Sequence, residues 1–416
     1  MIDVVYSNIT SVFSVVMRLA REFCIIILGV TFLYFVINTY NRGVGQIRLE
    51  GHQLAEYDDI TEDTEDHETV GQSGEDTRDL TPDLYPGAAT QSDRILEQLA
   101  YLPPANLTSE PLTILIWQGL AAWGGIKPRE GREVFDRESC PVRNCLLTGD
   151  QTQLESSDLV IFRERVPQMK KKGEELWMIY NLESPLNSHI SGEQCDWTAT
   201  YRRDSTIVAP YGAWRRHRAG QTEASQAMVN FAENKTGLVA WLVSNCNTRN
   251  GRLEYAQQLA THIRLDIYGR CGTEQCQKNS QQCRDQLRQY KFYLSFENSN
   301  CADYITEKFW ENALHNNILP IVMGPSIQDY EAVAPPKSFI HVESFASPAD
   351  LARYLHVLDQ DDDLYNEYFA WKQMGDFIAT KFFCRVCSML HYSRHFSQEV
   401  RDVNTWWSGP GVCSNT

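Results

Sequence analysis

The 416-residue sequence contains no Gly-x-Gly-x-x-Gly and no Walker loop, so the common phosphate cradles are missing. It has no His-Glu-x-x-His pattern, which excludes that type of zinc helix. Positive charge is scarce: 38 Lys and Arg face 54 Asp and Glu, and the net charge of −16 speaks against a nucleic-acid partner. The deficit is local. Between Glu56 and Asp83, twelve acidic residues meet a single basic one, Arg78, so that segment alone carries −11. The imbalance describes one segment and says little about the field of any active site. No period of solenoid type repeats. From Phe23 to Asn41 there is no charged residue at all.

That uncharged stretch is nineteen residues long, just enough to span a bilayer core of ~30 Å at ~1.5 Å per residue. A cleaved signal peptide is the rival reading. It is weakened because the apolar block starts 22 residues in and no small-x-small site follows it closely. Eleven of the twelve cysteines follow the block, as do the sequons Asn106-Leu-Thr and Asn234-Lys-Thr. Both features suit an oxidising lumen on that side. An odd cysteine count there leaves at least one thiol free or paired between chains. The chain therefore divides into a cytoplasmic tail (1–22), a transmembrane signal-anchor helix (23–41) and an acidic flexible stem (42–109).

From Pro111 onward, short apolar runs alternate with helix-like stretches. Strands are expected at 112–117, 158–162, 176–181 and 206–208. A polar, basic break at 215–223 separates them from a second set at 237–244, 264–268, 292–296, 318–323 and 339–342. Helices are expected at 252–262, 306–315 and 348–359. Such alternation predicts an α/β fold with parallel sheets and helices on both faces. Two blocks around a polar linker predict two Rossmann-like domains, 110–222 and 223–380, with a cleft between them and a Cys-containing C-terminal tail at 381–416. The Asp361-Asp362-Asp363 triplet has no apolar strand to aim it and reads as a solvated helix start. Cys384-Arg-Val-Cys387 lies in a helical context without a βαβ entry, so a structural disulfide is expected rather than a redox motif. Connectivity is not readable from spacing.

The segment Tyr290-Lys-Phe-Tyr-Leu-Ser-Phe-Glu-Asn-Ser-Asn-Cys-Ala-Asp-Tyr-Ile-Thr-Glu-Lys carries the strongest chemical signal. A strand delivers Glu297 and Asn298 to its C-terminal end, and Thr306 is the expected cap of the helix that follows. Strand ends beside a helix N-terminus are where open α/β sheets bind nucleotides. Lys308 in that helix's first turn opposes the helix dipole and makes sense beside an anion. A surface lysine without a role is the plain alternative.

Phe296-Glu-Asn-Ser, Asp303-Tyr-Ile-Thr-Glu-Lys and Ile318-Leu-Pro-Ile-Val-Met-Gly-Pro-Ser resemble the donor-binding signature of the α1,3-fucosyltransferase family. Asn181-Leu-Glu-Ser-Pro, Thr200-Tyr-Arg-Arg-Asp-Ser, Val239-Ala-Trp-Leu-Val-Ser-Asn and Asp266-Ile-Tyr-Gly-Arg follow the family's order, over roughly residues 111–390. The resemblance implies a GT-B fold, a Golgi membrane anchor and inverting transfer of fucose from GDP-fucose to a GlcNAc hydroxyl. Glu183 would be the base. Arg252 and Lys308 would clamp the diphosphate, with Arg249 as a competitor. Glu307 would lie near the fucose and ribose, and Glu297, Asn298 and Tyr304 would line the donor pocket. Tyr201 and Arg202 fall in a family block, where packing is an equal reading. No cofactor is required on this reading, and Mn²⁺ would at most stimulate. The partners would be GDP-fucose, a glycan acceptor (N-glycan, LacNAc or LacdiNAc type) and the Golgi membrane; homo-oligomerisation stays open. The sequence departs from vertebrate Lewis-type members at Phe162-Arg-Glu-Arg-Val-Pro, where they carry His-His-Trp-Asp, which leaves acceptor choice open. Cys140-Pro-Val-Arg-Asn-Cys145 and the Cys384-x-x-Cys387 segment look closer to invertebrate members. A catalytically silent sugar-binding member of the same fold is the rival from another class.

Overall fold

A computed structural model describes residues 84–87, 92–104, 110–123, 128–190, 195–218, 229–277, 280–394 and 402–414. The anchor segment 23–41, the acidic run and Asn106 lie outside the described residues. No described helix is long and apolar enough to cross a membrane.

The first sheet has six strands: β1 (Leu112–Ile116), β2 (Cys145–Thr148), β3 (Leu159–Arg163), β4 (Leu176–Asn181), β5 (Trp197–Thr200) and β6 (Ile207–Val208). They are parallel, in the order β2-β1-β3-β4-β5-β6. Period-two alternation sends Ile114, Ile116, Ile161 and Met178 to one face and Leu115, Val160, Phe162 and Trp177 to the other. Both faces are buried, so the strands read as continuous apolar runs. β5 escaped the sequence reading because it is short and Thr-rich. Thr198 and Thr206 satisfy each other: each backbone N–H donates to the other's hydroxyl, at 3.2 and 3.0 Å.

The polar break contains β7 (Trp214–Arg216). It is followed by the strands β8 (Gly237–Leu242), β9 (Leu265–Tyr268), β10 (Tyr290–Phe296), β11 (Asn300–Cys301), β12 (Leu319–Met323), β13 (Ile340–His341), β14 (Gly375–Phe377) and β15 (Cys413–Ser414). The second sheet is parallel in the order β13-β12-β10-β8-β9. β10 lies at its centre and is buried throughout. Helices Arg252–Ala260 and Pro348–Gln360 cover one face through Leu259, Leu351, Leu355 and Leu358. The Asp triplet behaves as expected: Asp361 caps the short helix Asp362–Asn366. The break at 215–223 is not featureless, because β7 pairs with β14 in an antiparallel ribbon.

Two boundaries need correction. Residues 381–416 are not an appended tail. Helix Phe382–Ser393 is buried almost along its whole length, and Phe382, Phe383, Val386, Met389 and Leu390 complete the core of the first sheet. The structural-disulfide expectation for Cys384 and Cys387 is borne out, and the connectivity that spacing left open is Cys140–Cys384 and Cys145–Cys387. Each closes a loop of more than 240 residues. One such closure is worth ~5.5 kcal/mol in the chain-entropy model, and the second adds little because the ends are already joined. Cys246–Cys271, Cys276–Cys283 and Cys301–Cys413 form the other pairs, and the odd thiol is the buried Cys195.

The acidic stem also ends earlier than residue 109. Leu84 and Tyr85 enter the first core, and helix Ile95–Ala100 packs on helix Phe382–Ser393. Arg94 donates to the carbonyls of Arg203 and Ser205, and Gln98 to those of Leu84 and Thr206. The fully buried Arg385 donates to the Gln98 side chain, and Asp93 pairs with Arg215. Removing this segment would expose apolar core, orphan buried carbonyls and take one partner from the buried Arg385 guanidinium. A secreted protein starting at residue 110 is therefore expected to melt at least ~10 °C below one starting at residue 80, or not to be secreted. Equal melting temperatures would refute this part of the packing.

Two buried histidines add a pH term. His341 donates to the Pro325 carbonyl and His391 to that of Asn144, and burial holds both below the usual imidazole value. Above ~6.5 both states are neutral; below it the unfolded chain takes protons that the folded chain refuses. Stability should fall as pH drops below ~6.5, and His341→Gln/His391→Gln should flatten that slope in melts from ~pH 7.5 to 5.

Candidate active site

The C-terminal ends of both sheets carry the groups singled out in the sequence. Glu183 follows β4 by two residues. Its Oε1 accepts from Ser184 N (3.0 Å), Asn298 Nδ2 (3.2 Å) and the Tyr304 hydroxyl (2.6 Å). Its Oε2 has no hydrogen bond among the described residues. The carboxylate is thus oriented through one oxygen while the other stays available. Burial, and the charges of Glu297 and Glu183, push the Tyr304 hydroxyl far above the usual phenol range, so it stays a donor.

Around this contact the two halves interlock through groups the sequence reading did not single out. Ser184 and Ser299 share a hydroxyl–hydroxyl bond of 2.7 Å, and Asn187 donates to both, at 3.0 and 2.9 Å. The Tyr211 hydroxyl, from the linker side, donates to the Leu182 carbonyl. The serines sit in the two quoted motifs, next to Glu183 and Asn298. Adjacency to the candidate residues was the only signal that could have found them.

Glu297 directly follows β10 and is completely buried. It accepts from Thr306 N (2.8 Å), from the Thr306 hydroxyl (2.9 Å) and from Lys308 Nζ (2.9 Å). Glu297 lies beneath Lys308, and the Tyr304 hydroxyl is engaged by Glu183. Thr306 is not a simple cap, because its hydroxyl faces Glu297 and Lys308. The expected helix begins instead as a π-helical turn, Lys308–Ala313, followed by the 3₁₀ turn Leu314–Asn316. Such turns often mark functional sites. Gly324, after β12, leaves room for this carboxylate, since a side chain there would come within 2.9 Å of the Glu297 Cβ.

Burial works against the Lys308 charge, but Glu297 and Glu307 outweigh it and hold the amine above its usual range. Lys308 is therefore a fixed cation, with Glu307 half-exposed 3.6 Å away. Arg252 is nearly fully buried and spans the ends of β10 and β8, donating to the carbonyls of Phe296 (2.7 Å) and Asn245 (2.8 Å). Arg249 is exposed. Asn298 is half-buried, and Asn250 ties the Glu297 carbonyl to the Asn300 side chain. Tyr201 and Arg202 serve packing: Tyr201 packs at a tilt against Tyr304, and Arg202 lies over Trp406. The two clusters of metal-ligating residue types among the described residues are both built on disulfide cysteines.

Residues 109–212 match the family described as "Fucosyltransferase, N-terminal", and residues 232–406 match "Glycosyltransferase family 10 (fucosyltransferase) C-term". The chain belongs to glycosyltransferase family 10. Among relatives of this family 10 chain, glycoprotein 3-alpha-L-fucosyltransferase A of Drosophila melanogaster is 44% identical over 347 residues, covering 80% of this chain and 68% of the relative. The 3-galactosyl-N-acetylglucosaminide 4-alpha-L-fucosyltransferase FUT3 of Homo sapiens is 38% identical over 280 residues, covering 64% and 75%. A crystal structure of an alpha1,3-fucosyltransferase with GDP-fucose aligns at a TM-score of 0.47 and 17% identity, covering 77% of this chain and 99% of that one. The family expected from the motifs is thus borne out.

Lys308→Met would leave the Glu297 carboxylate buried without its cation. A loss of ~3–5 kcal/mol is expected in denaturant melts of the family 10 chain, with part of it recovered by adding Glu297→Gln. Little or no loss in the single variant would mean that the pair does not carry the site's stability.

Proposed function

We propose that this chain is an inverting α1,3-fucosyltransferase of GT-B layout that moves fucose from GDP-fucose to a GlcNAc hydroxyl of a glycan. The observation that carries the reading is the meeting of Glu183 with Asn298 and Tyr304. It joins a carboxylate having one free oxygen to the loop that bears Glu297, Glu307 and Lys308. The name of the Drosophila relative agrees with it in both sugar and linkage, and that of the human relative agrees in the sugar transferred.

In the proposed step the acceptor hydroxyl approaches fucose C1 on the face opposite GDP and gives its proton to Glu183. The new O–C1 bond forms as the C1–O bond to the β-phosphate breaks, and the electron pair leaves with GDP through an oxocarbenium-like transition state. Lys308 and Arg252 meet the charge that develops on the diphosphate, as preorganised cations do best where water is excluded. Lys308 must exchange part of its contact with Glu297 and Glu307 for phosphate. Glu307, half-exposed, is placed for hydroxyls of the sugar or ribose. On this reading Mn²⁺ would at most stimulate. The co-location of Glu183, Arg252, Glu307 and Lys308 speaks against a silent sugar-binding member.

Lumenal placement behind a Golgi membrane anchor at 23–41 is part of the same proposal. It is supported by five disulfides among the described residues and by the exposure of Asn234 in a turn with φ of +63°. A sequon asparagine must be reachable in this way.

The test is transfer by the secreted protein to N-glycan, LacNAc and LacdiNAc acceptors. Glu183→Gln is expected to lower kcat at least ~100-fold while the KM for GDP-fucose moves by no more than ~3-fold. A Glu183→Gln enzyme with normal turnover would overturn the assignment of the base.

A further inference from the structure

The face of the first sheet nearest the donor loop is closed by residues 402–414. Asp402 caps helix Val403–Ser408, accepting from Asn404 N and Thr405 N. Val403 and Trp407 are buried in one cluster with Leu115, Phe162, Trp177 and Tyr304. The chain then turns, and β15 pairs antiparallel with β11, inside the donor loop. Ala302 N donates to the Val412 carbonyl at 2.8 Å, and the Cys301–Cys413 disulfide fastens the same junction.

These contacts run in line to the base. The Trp407 ring lies 5.7 Å from Tyr201, and Tyr201 lies 4.9 Å from Tyr304. The Tyr304 hydroxyl is 2.6 Å from Glu183 Oε1. A parallel anchor keeps the strap in register: the Arg202 guanidinium stacks 4.4 Å over Trp406, and Trp406 Nε1 donates to Asp204 at 2.7 Å. Trp407 and Cys413 both lie past residue 406, where the family match ends. The donor loop needs such support, because β11 is only two residues long and Asp303 holds φ at +62°.

We propose that Trp407 is a positioning residue for fucosyl transfer and that the Cys301–Cys413 disulfide is its clasp. Together they hold Tyr201 and Tyr304 so that Tyr304 fixes the rotamer of Glu183. The proposal rests on the reading of Glu183 as base. Tyr304 has only one hydroxyl to give, and a ring that drifts by an ångström loses the bond to Oε1. Oε2 then no longer faces the acceptor at a constant angle, and misplacement on that scale costs rate more than affinity.

The experiment is steady-state kinetics with GDP-fucose and an accepted glycan, with melting curves in parallel. It compares Trp407→Ala, Trp407→Phe and the Cys301→Ser/Cys413→Ser pair, each with Tyr304 intact and with Tyr304→Phe. With Tyr304 intact, Trp407→Ala and the paired serine variant should each lower kcat ~10-fold and move either KM less than ~2-fold, and Trp407→Phe should restore most of the rate. With Tyr304→Phe, the same changes should cost less than ~2-fold, because the connection is already cut. Unchanged kcat, or losses that multiply in full without the Tyr304 hydroxyl, would overturn the proposal. The same holds if the losses follow the unfolded fraction in the melts. Glu183→Gln in the same series separates the two readings. Normal turnover there removes the base, whereas a Trp407 effect independent of Tyr304 removes the clasp.

Discussion

The Glu297 carboxylate has no contact with water, and the donor half of the site is arranged around what compensates for that. An isolated buried charge costs several kcal/mol, so its oxygens must be met by fixed donors. Thr306 supplies two and Lys308 a third. The constraint reaches outward in both directions. It pulls the chain after Ile305 into a π-helical start, which sets where Lys308 projects. It also fixes the end of β10, so that Asn298 and Ser299 reach across to Glu183 and Ser184.

The contact between halves is therefore polar and specific rather than a greasy hinge. Hydroxyl, amide and carboxylate groups from each side satisfy one another, with Tyr201 and Tyr304 packed at a tilt behind them. Such a network tolerates little displacement, because each unmade bond leaves a buried polar group behind. The acceptor-side carboxylate and the donor loop are consequently built as one unit, although they come from different sheets.

Much of the fold was legible because parallel strands buried on both faces announce themselves as apolar runs. The segments 112–117, 176–181 and 318–323 match β1, β4 and β12 to within a residue or so. β5 was missed because its threonines bond to Thr206 and Ser205 in the turn that follows instead of packing as hydrocarbon. β7 and β14 were missed because their pairing joins segments some 160 residues apart. The site residues were legible as a set, but their depth was not. Nothing local distinguishes a Glu that faces solvent from one sealed under a lysine. The serine and asparagine contacts between halves depend on two motifs meeting in space, which a single sequence does not display. The boundaries at 109 and 381 misled for the same reason: composition changes there, yet both flanks fold back onto the first sheet.

That folding back has a consequence for how the protein is made. The first sheet is completed by helix Phe382–Ser393, whose cysteines are separated from their partners by 244 and 242 residues. At a synthesis rate of roughly 5–20 residues per second, Cys140 and Cys145 wait on the order of 12–50 s for their partners in the covering helix. Throughout that interval Cys140 and Cys145 are unpaired thiols beside an open apolar face, while the intervening cysteines emerge one after another as competing partners. The second sheet is translated, and free to fold, before the first can close. The half that is synthesised first is thus the half that finishes last, and the residues from Phe382 onward decide whether the early ones mature or are discarded.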